Sequence, residues 1–307
     1  HRTVHHHTLG QPWSDDPVVW ADHPTSQTWP EVAISPDGRF LLVDAIVGWS
    51  RSDLHLLDRR TGEWHTLIAG VEVSSHFVFA SDDRLIGTTT LDAPMGRVVA
   101  VDLETIPTDP SGWTTVVPER DVVVGVPRPV GDGFVVTISR AGVDTIEWWD
   151  GSTGSVVSGL DTRTVAQLAT DRSGGTALAL ITGFDAPMSV WRLDDPNTDP
   201  SADPTAVLLH PAASCDLVPD LTVSQVEYPS SDGTTIGMFL VHRADVEPDA
   251  RTAAILNGYG GFAISVTPVW SATIVAWCGA GGLYAIAGLR GGFEHGEAWH
   301  VAGKRDN

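Results

Sequence analysis

Thr90-Leu-Asp-Ala-Pro-Met-Gly-Arg-Val-Val-Ala-Val-Asp102 and Thr182-Gly-Phe-Asp-Ala-Pro-Met-Ser-Val-Trp-Arg-Leu-Asp194 follow one pattern. In each, an apolar strand ends in Thr, Asp-Ala-Pro-Met follows, and a second strand ends in Asp. The second Asp-Ala-Pro-Met begins 93 residues after the first, or two units of about 46, close to the length of a propeller blade. The copy between them is Phe134-Val-Val-Thr-Ile138, a loop, and Thr145-Ile-Glu-Trp-Trp-Asp150. An earlier copy is Phe40-Leu-Leu-Val-Asp-Ala-Ile46, a loop, and Leu54-His-Leu-Leu-Asp58. Short strands with turn residues between them, and almost no helical periodicity, mean sandwich, barrel or propeller. The repeat selects the propeller.

Working outward, the repeat marks four units at about 30–70, 71–118, 119–162 and 163–211. Residues 1–24, with Thr3–Leu9 and Pro17–Trp20, read as the last two strands of an earlier blade. A blade cannot bury its faces alone and a propeller must close. About four and a half blades therefore read as an internal piece of a longer protein; the competing reading is a closed four-bladed propeller with an irregular start. The twelve tryptophans are expected to be mostly blade core, because aromatic rings fill the space between packed sheets. Asp92 and Asp185 are expected as turn residues between blade strands.

From residue 218 the pattern changes. Leu221–Tyr228 and Ile236–His242, with the turn cluster Pro229–Thr234 between them, make a hairpin. Ala253-Ala-Ile-Leu256 is an apolar run that breaks into Asn257-Gly-Tyr-Gly-Gly-Phe262. It reads as a buried strand ending in a tight turn, whose glycines allow positive φ. Thr273–Trp277 suits a helix, and Gly281–Gly288 is a second continuous apolar strand. Hairpin, strand, helix and strand mean the start of an α/β sheet. The expected domains are a partial β-propeller over 1–217 and the first part of an α/β-hydrolase domain over 218–307. Ligands bind such sheets at the carboxyl ends of the strands, which is where Tyr259 stands.

Composition sets outer limits. The 307 residues carry a formal charge of −21, which argues against nucleic acid or an anionic membrane as partner. No run of about 18 apolar residues suggests a membrane span, and the first residues contain no signal-peptide core. Cys215 and Cys278 are the only cysteines; they make no disulfide framework and are expected to be buried. His295, Glu297 and His300 lack the His-Glu-x-x-His spacing of a zinc site, so no metal or cofactor is expected. His5 and His7 share one strand face and read as solvated. Arg290 and Glu294 are expected to form a buried pair.

Three segments carry a resemblance. Gly258-Tyr-Gly-Gly-Phe262, then Ile264-Ser265 and Thr267-Pro268, resembles the prolyl oligopeptidase pattern Tyr-Gly-Gly-Phe with Ile-Ser-x-Thr-Pro. Arg290-Gly-Gly-Phe-Glu-His-Gly-Glu-Ala-Trp-His300 resembles that family's Arg-Gly-Gly-Gly-Glu-Tyr-Gly-x-x-Trp-His, with Phe293 and His295 as departures. Tyr228–Thr234 and Met238–Val241 resemble the hairpin that opens its hydrolase domain, and the repeats resemble the later blades of its seven-bladed propeller.

The resemblance implies a serine endopeptidase acting on the carboxyl side of proline in short peptides. It implies that the Tyr259 hydroxyl belongs to the oxyanion hole and that Phe262 lines the proline pocket. His23 falls near an aromatic of that pocket, without an assigned role. A full-length monomer in the cytoplasm is expected, with a periplasmic or secreted location left open. The family's nucleophile sits in Gly-x-Ser-x-Gly, and no such segment occurs here, so the chain alone is expected to be inactive. Two rival readings stand beside this one: an oligopeptidase B-like enzyme cleaving after Arg or Lys, and a non-catalytic propeller binding module.

Overall fold

A computed structural model describes residues 2–160, 163–171, 174–194, 204–212 and 219–304. The first strands, β1 (Val4–His5) and β2 (Val18–Trp20), form a two-stranded antiparallel sheet. Three four-stranded antiparallel sheets are built from consecutive neighbours. The first contains β3 (Thr28–Ile34), β4 (Phe40–Val47), β5 (Arg51–Asp58) and β6 (Glu63–Ile68). The second contains β7 (Ser75–Phe79), β8 (Arg84–Thr89), β9 (Arg97–Asp102) and β10 (Thr114–Val117). Between the second and the last in chain order comes a sheet of β11 (Val123–Val124), β12 (Arg128–Val130), β13 (Gly133–Arg140), β14 (Val143–Trp149) and β15 (Gly154–Val156). The last comprises β16 (Thr164–Thr170), β17 (Thr176–Gly183), β18 (Ala186–Asp194) and β19 (Ala206–His210). These sheets are the four blades expected from the repeat.

The third blade has five strands because β11 and β12 pair with the two halves of β13. Gly125-Val-Pro127 interrupts them. Proline has no N–H for a ladder, while the Gly125 N–H still reaches Thr137 O at 2.8 Å.

Contact density divides the chain into two compact units, His1–Ala93 with Arg97–Pro118, and Pro94–Gly96 with Glu119–Asn307. In the first unit, Phe40, Leu42, Leu54 and Leu56 pack with Phe77, Leu85, Val99 and Trp113. In the second, Val130, Val135, Ile146 and Trp148 pack with Ala177, Ala179, Ile181 and Leu193. Both cores join consecutive blades. A central blade strand is covered on both faces, so Phe40-Leu-Leu-Val43 is buried without alternation.

A polar link also ties the first two blades. His76 Nδ1 lies 3.0 Å from Asp44 Oδ2 of β4, and its Nε2 lies 3.1 Å from Ser74 Oγ. These are the residue types of a hydrolase relay. Yet Ser74 donates its N–H to Thr90 Oγ1, and its C=O accepts from Thr90 N. Its backbone is held against the neighbouring strand rather than raised on a sharp elbow of the kind that presents a nucleophile.

The tryptophans depart from expectation. Trp20, Trp113, Trp148 and Trp149 are buried, whereas Trp13, Trp29, Trp49 and Trp64 are exposed. Trp29 lies on β3, an edge strand, and the Arg2 guanidinium stacks 3.5 Å above its ring, so a cation–π contact replaces core packing. His23 meets the Trp20 ring edge-on. His5 and His7 are exposed, and His7 Nδ1 lies 2.9 Å from Asp16 Oδ1.

The last sheet is mixed. It contains β20 (Leu221–Pro229), β21 (Thr235–Arg243), β22 (Ala254–Tyr259) and β23 (Leu283–Gly288), in the order β20-β21-β23-β22. The strands β22 and β23 are parallel and joined through α1 (Ala272–Gly279); α2 (Gly296–Val301) follows. Phe239, Val241, Val266, Ile274 and Cys278 form its core. Cys278 is a free, buried thiol, and burial pushes its pKa up. Cys215 and the expected boundary at 217/218 fall outside the described residues.

One expectation for this sheet fails: β22 is exposed along its whole length, not buried. Among the described residues only β23 pairs with it, so the apolar run of Ile255 and Leu256 sits on an open edge. No helix among the described residues is long and apolar enough to cross a membrane.

Candidate active site

Tyr259 is the last residue of β22, at its carboxyl end, and it is 42% exposed. Its main chain is fixed, because Tyr259 O accepts the Leu289 N–H at 2.8 Å just past the end of β23. The glycines beside it provide room. A Cβ at 260 would run into Arg290 O and lie 2.6 Å from Leu289 Cβ, and one at 258 would lie 3.1 Å from Leu289 Cδ1. The strand end can therefore press against 288–290.

The expected positive φ is not on these glycines. It falls on Phe262 (φ 59°) and Ala263 (φ 54°). Left-handed backbone costs roughly 1–2 kcal/mol per non-glycine residue, so neighbouring contacts must hold it. The Ala263 N–H donates to Gly291 O at 3.1 Å, and Ile264 N–H to Gly261 O at 3.1 Å. His300 is buried on α2, with Nδ1 2.9 Å from Gly291 O. The same Nδ1 lies 3.2 Å from the Ala263 N–H, so His300 meets both sides of the turn. The resulting turn leaves Phe262 53% exposed beside Tyr259.

The Arg290–Glu294 pair expected from sequence does not form. Arg290 instead reaches Asp232 in the β20–β21 turn and lies 3.4 Å from Thr234 Oγ1. The Thr234 backbone N–H, with Arg290 beside it, holds the Asp232 carboxyl down to about 2. Glu294 is buried and accepts the Val266 N–H at 2.7 Å. Burial raises its pKa, partly offset by that N–H. The pairing fails because Arg290 reaches Asp232 across the sheet while Glu294 turns inward to the Val266 N–H.

The first Asp-Ala-Pro-Met loop reaches α2, and the residues just before the second reach the last sheet and its α1 approach. Pro94 O accepts the Glu297 N–H at 2.8 Å. A Cβ at Gly296 would lie 2.5 Å from Pro94 O, so glycine permits the approach. In the fourth blade, Thr182 Oγ1 accepts the Trp270 N–H at 3.3 Å, and Phe184 packs edge-on against Phe239. Asp185 is taken by Arg163 at 2.9 Å. The β13–β14 turn adds a third contact, where Ala141 O accepts Gln225 Nε2 at 2.8 Å. Sequence reading assigned these loops as turns and missed their second use, although repetition of the tetrapeptide was a signal for it. The parts played by Glu294 and His300 in holding the turn were also missed.

The profile of the prolyl oligopeptidase N-terminal beta-propeller domain matches residues 1–201. The chain belongs to the prolyl oligopeptidase family. Among curated members, prolyl oligopeptidase A of Galerina marginata is 26% identical over 313 residues, which is 99% of this chain and 42% of that protein. The prolyl endopeptidase of Elizabethkingia miricola is 26% identical over 307 residues, 98% of this chain and 42% of its own length. An uncharacterized peptidase of Sinorhizobium fredii is 47% identical over 79 residues.

Solved structures of the family agree in fold. A prolyl endopeptidase matches with a TM-score of 0.85 at 28% identity, covering 99% of this chain and 44% of that one. Prolyl oligopeptidase B of Galerina marginata, solved with a 25mer macrocyclization substrate, matches with a TM-score of 0.87 at 25% identity, covering 99% and 43%. The chain thus spans about two fifths of the length of these relatives. The β-propeller blades and the opening of an α/β sheet are the architecture of this family.

Proposed function

We propose that this chain is part of a serine peptidase that cleaves short peptides on the carboxyl side of proline. In this reading the Tyr259 hydroxyl donates to the oxyanion of the tetrahedral intermediate, and Phe262 forms one wall of the proline pocket. A neutral phenol donates a hydrogen bond to developing negative charge, and a preorganised donor is most effective when its support does not move. The apolar face of a phenyl ring suits the rigid pyrrolidine ring. The observation that carries the reading is the turn itself: Tyr259 ends a parallel strand, with its ring accessible and its carbonyl anchored to Leu289. The nucleophile, the general base and its partner would come from the longer protein.

The test is turnover of a blocked Gly-Pro chromogenic peptide by the longer protein carrying this chain, with an Arg peptide as comparison. Tyr259→Phe should lower kcat by about 10²–10³, the usual loss for one oxyanion donor, with little change in KM. Unchanged kcat would remove Tyr259 from the oxyanion hole. Preference for the Arg peptide would move the enzyme to the oligopeptidase B branch, and no cleavage of either would favour a binding module.

A further inference from the structure

Among the described residues of 219–304, Glu294 is the only buried carboxyl, at 7% exposure. Its side chain occupies space left by two glycines. A Cβ at 288 would lie 2.8 Å from Oε1, and one at 292 would collide with Oε2. The oxygen Oε1 takes the Val266 N–H at 2.7 Å, on the limb of chain that returns from the left-handed pair Phe262–Ala263. The other oxygen, Oε2, is buried and makes no hydrogen bond of ordinary geometry; the Trp299 indole and the Phe293 and Glu294 amides lie near enough to favour the charged form in part, but burial outweighs them. The carboxyl borders a small cavity lined by Ala141, Gln225, Gly237, Phe239, Val266 and His295. Among the described residues no other charge is brought to it there: Gln225 and Phe239 are neutral, and His295, on the same turn, is the one titratable neighbour in the lining. Arg290 is engaged by Asp232, and His300 by Gly291 O.

We propose that Glu294 is the positioning residue of the Tyr259–Phe262 turn, clamping its returning limb through Val266 in a way that depends on the carboxyl's charge. The role in catalysis rests on the peptidase reading above; the clamp does not. A neutral carboxyl is buried here at a smaller cost than a charged one. An ionised one puts a charge in the interior with no counter-charge beside it, which is strongly unfavourable. The turn should therefore be tightest when Glu294 holds its proton and loosen when it ionises. Glutamine keeps the acceptor for Val266 and carries no charge.

The experiment is amide hydrogen exchange of peptides spanning 259–267 in the 307-residue chain, corrected for intrinsic rate, from pH 5 to 9. Wild type should lose protection as pH rises. Glu294→Gln should stay protected throughout, and Glu294→Ala should exchange at least tenfold faster at every pH. Wild-type protection that does not change with pH, or that Glu294→Gln fails to flatten, overturns the proposal. So does a folded Glu294→Ala chain with wild-type protection; if that variant does not fold, the glutamine comparison alone decides. Tyr259→Phe should leave these rates unchanged, so a failed oxyanion assignment and a failed clamp give different results.

Discussion

The strands Phe40–Val47 and Ala254–Tyr259 look alike in sequence, both being apolar runs without alternation, and they end in opposite environments. The six residues Phe40–Ala45 are all buried, because β4 has a strand on each side and packed side chains on each face. Every residue of β22 is exposed, with Leu256 at 73%. The run of apolar residues is therefore a statement about needing cover, not about having it. The first strand meets that need with near neighbours in sequence, since each blade is built from consecutive hairpins. The second depends on partners that are distant along the chain. The same distance governs its carboxyl-end turn, which is held by Leu289, Gly291, Glu294 and His300 beyond the one local bond from Ile264 N–H to Gly261 O.

If β4 carries stability and the end of β22 carries chemistry, substitutions should separate the two. Leu42→Ala in β4 should cost about 2–5 kcal/mol, as buried leucine truncations do, read by denaturant unfolding, while leaving the exchange of the 259–267 turn intact. Tyr259→Phe should do the reverse, lowering kcat of the longer protein by the factor given above with no change in Tm; a large drop in Tm would make the tyrosine a packing residue and break the contrast.

Glu294→Gln tests the joint between the two roles. Burial raises the folded-state pKa of Glu294 above its ordinary value, so the stabilising proton is fully present below the usual carboxylate range. It is lost as pH rises through the raised pKa. The variant should therefore melt higher than wild type at pH 7, and the gap should close as pH falls below about 4.5, near the ordinary pKa of glutamate. The smallest effect is expected at Leu256→Ala, within about 0.5 kcal/mol, as for exposed sites; a loss as large as that at Leu42 would mean that β22 is covered in solution.

The blades were legible because their signals are local. The tetrapeptide at Asp92 and Asp185 set the period, and the strand pairs fell where it put them. The same tetrapeptide shows the limit. At Asp185 it forms a tight turn between β17 and β18, with Gly183 opposite Ala186; at Asp92 it opens into a loop with left-handed Asp92 (φ 53°). Identical residues take different shapes and different partners: Asp185 is bound by Arg163, whereas in the first copy Pro94 O accepts the Glu297 N–H. For the turn proposed as the site, the sequence placed Tyr259 at the end of a strand but misplaced the strain, which lies on Phe262 and Ala263 instead of the glycines. It also misassigned Arg290 and Glu294, since spacing along a chain does not reveal which charge lies nearest across a sheet.

The open side of β22 has a consequence for the chain as a colloid. An unpaired edge exposes a row of amide donors and acceptors, here flanked by Ile255 and Leu256. Two such edges can meet only by collision, so association through them should rise with the square of protein concentration. The formal charge of −21 opposes each encounter, but the opposition reaches only about 10 Å at 0.1 M salt. Turbidity or light scattering of the 307-residue chain should accordingly grow with added salt, and a lysine at Leu256, a charge of the kind that blunts edge strands, should suppress it.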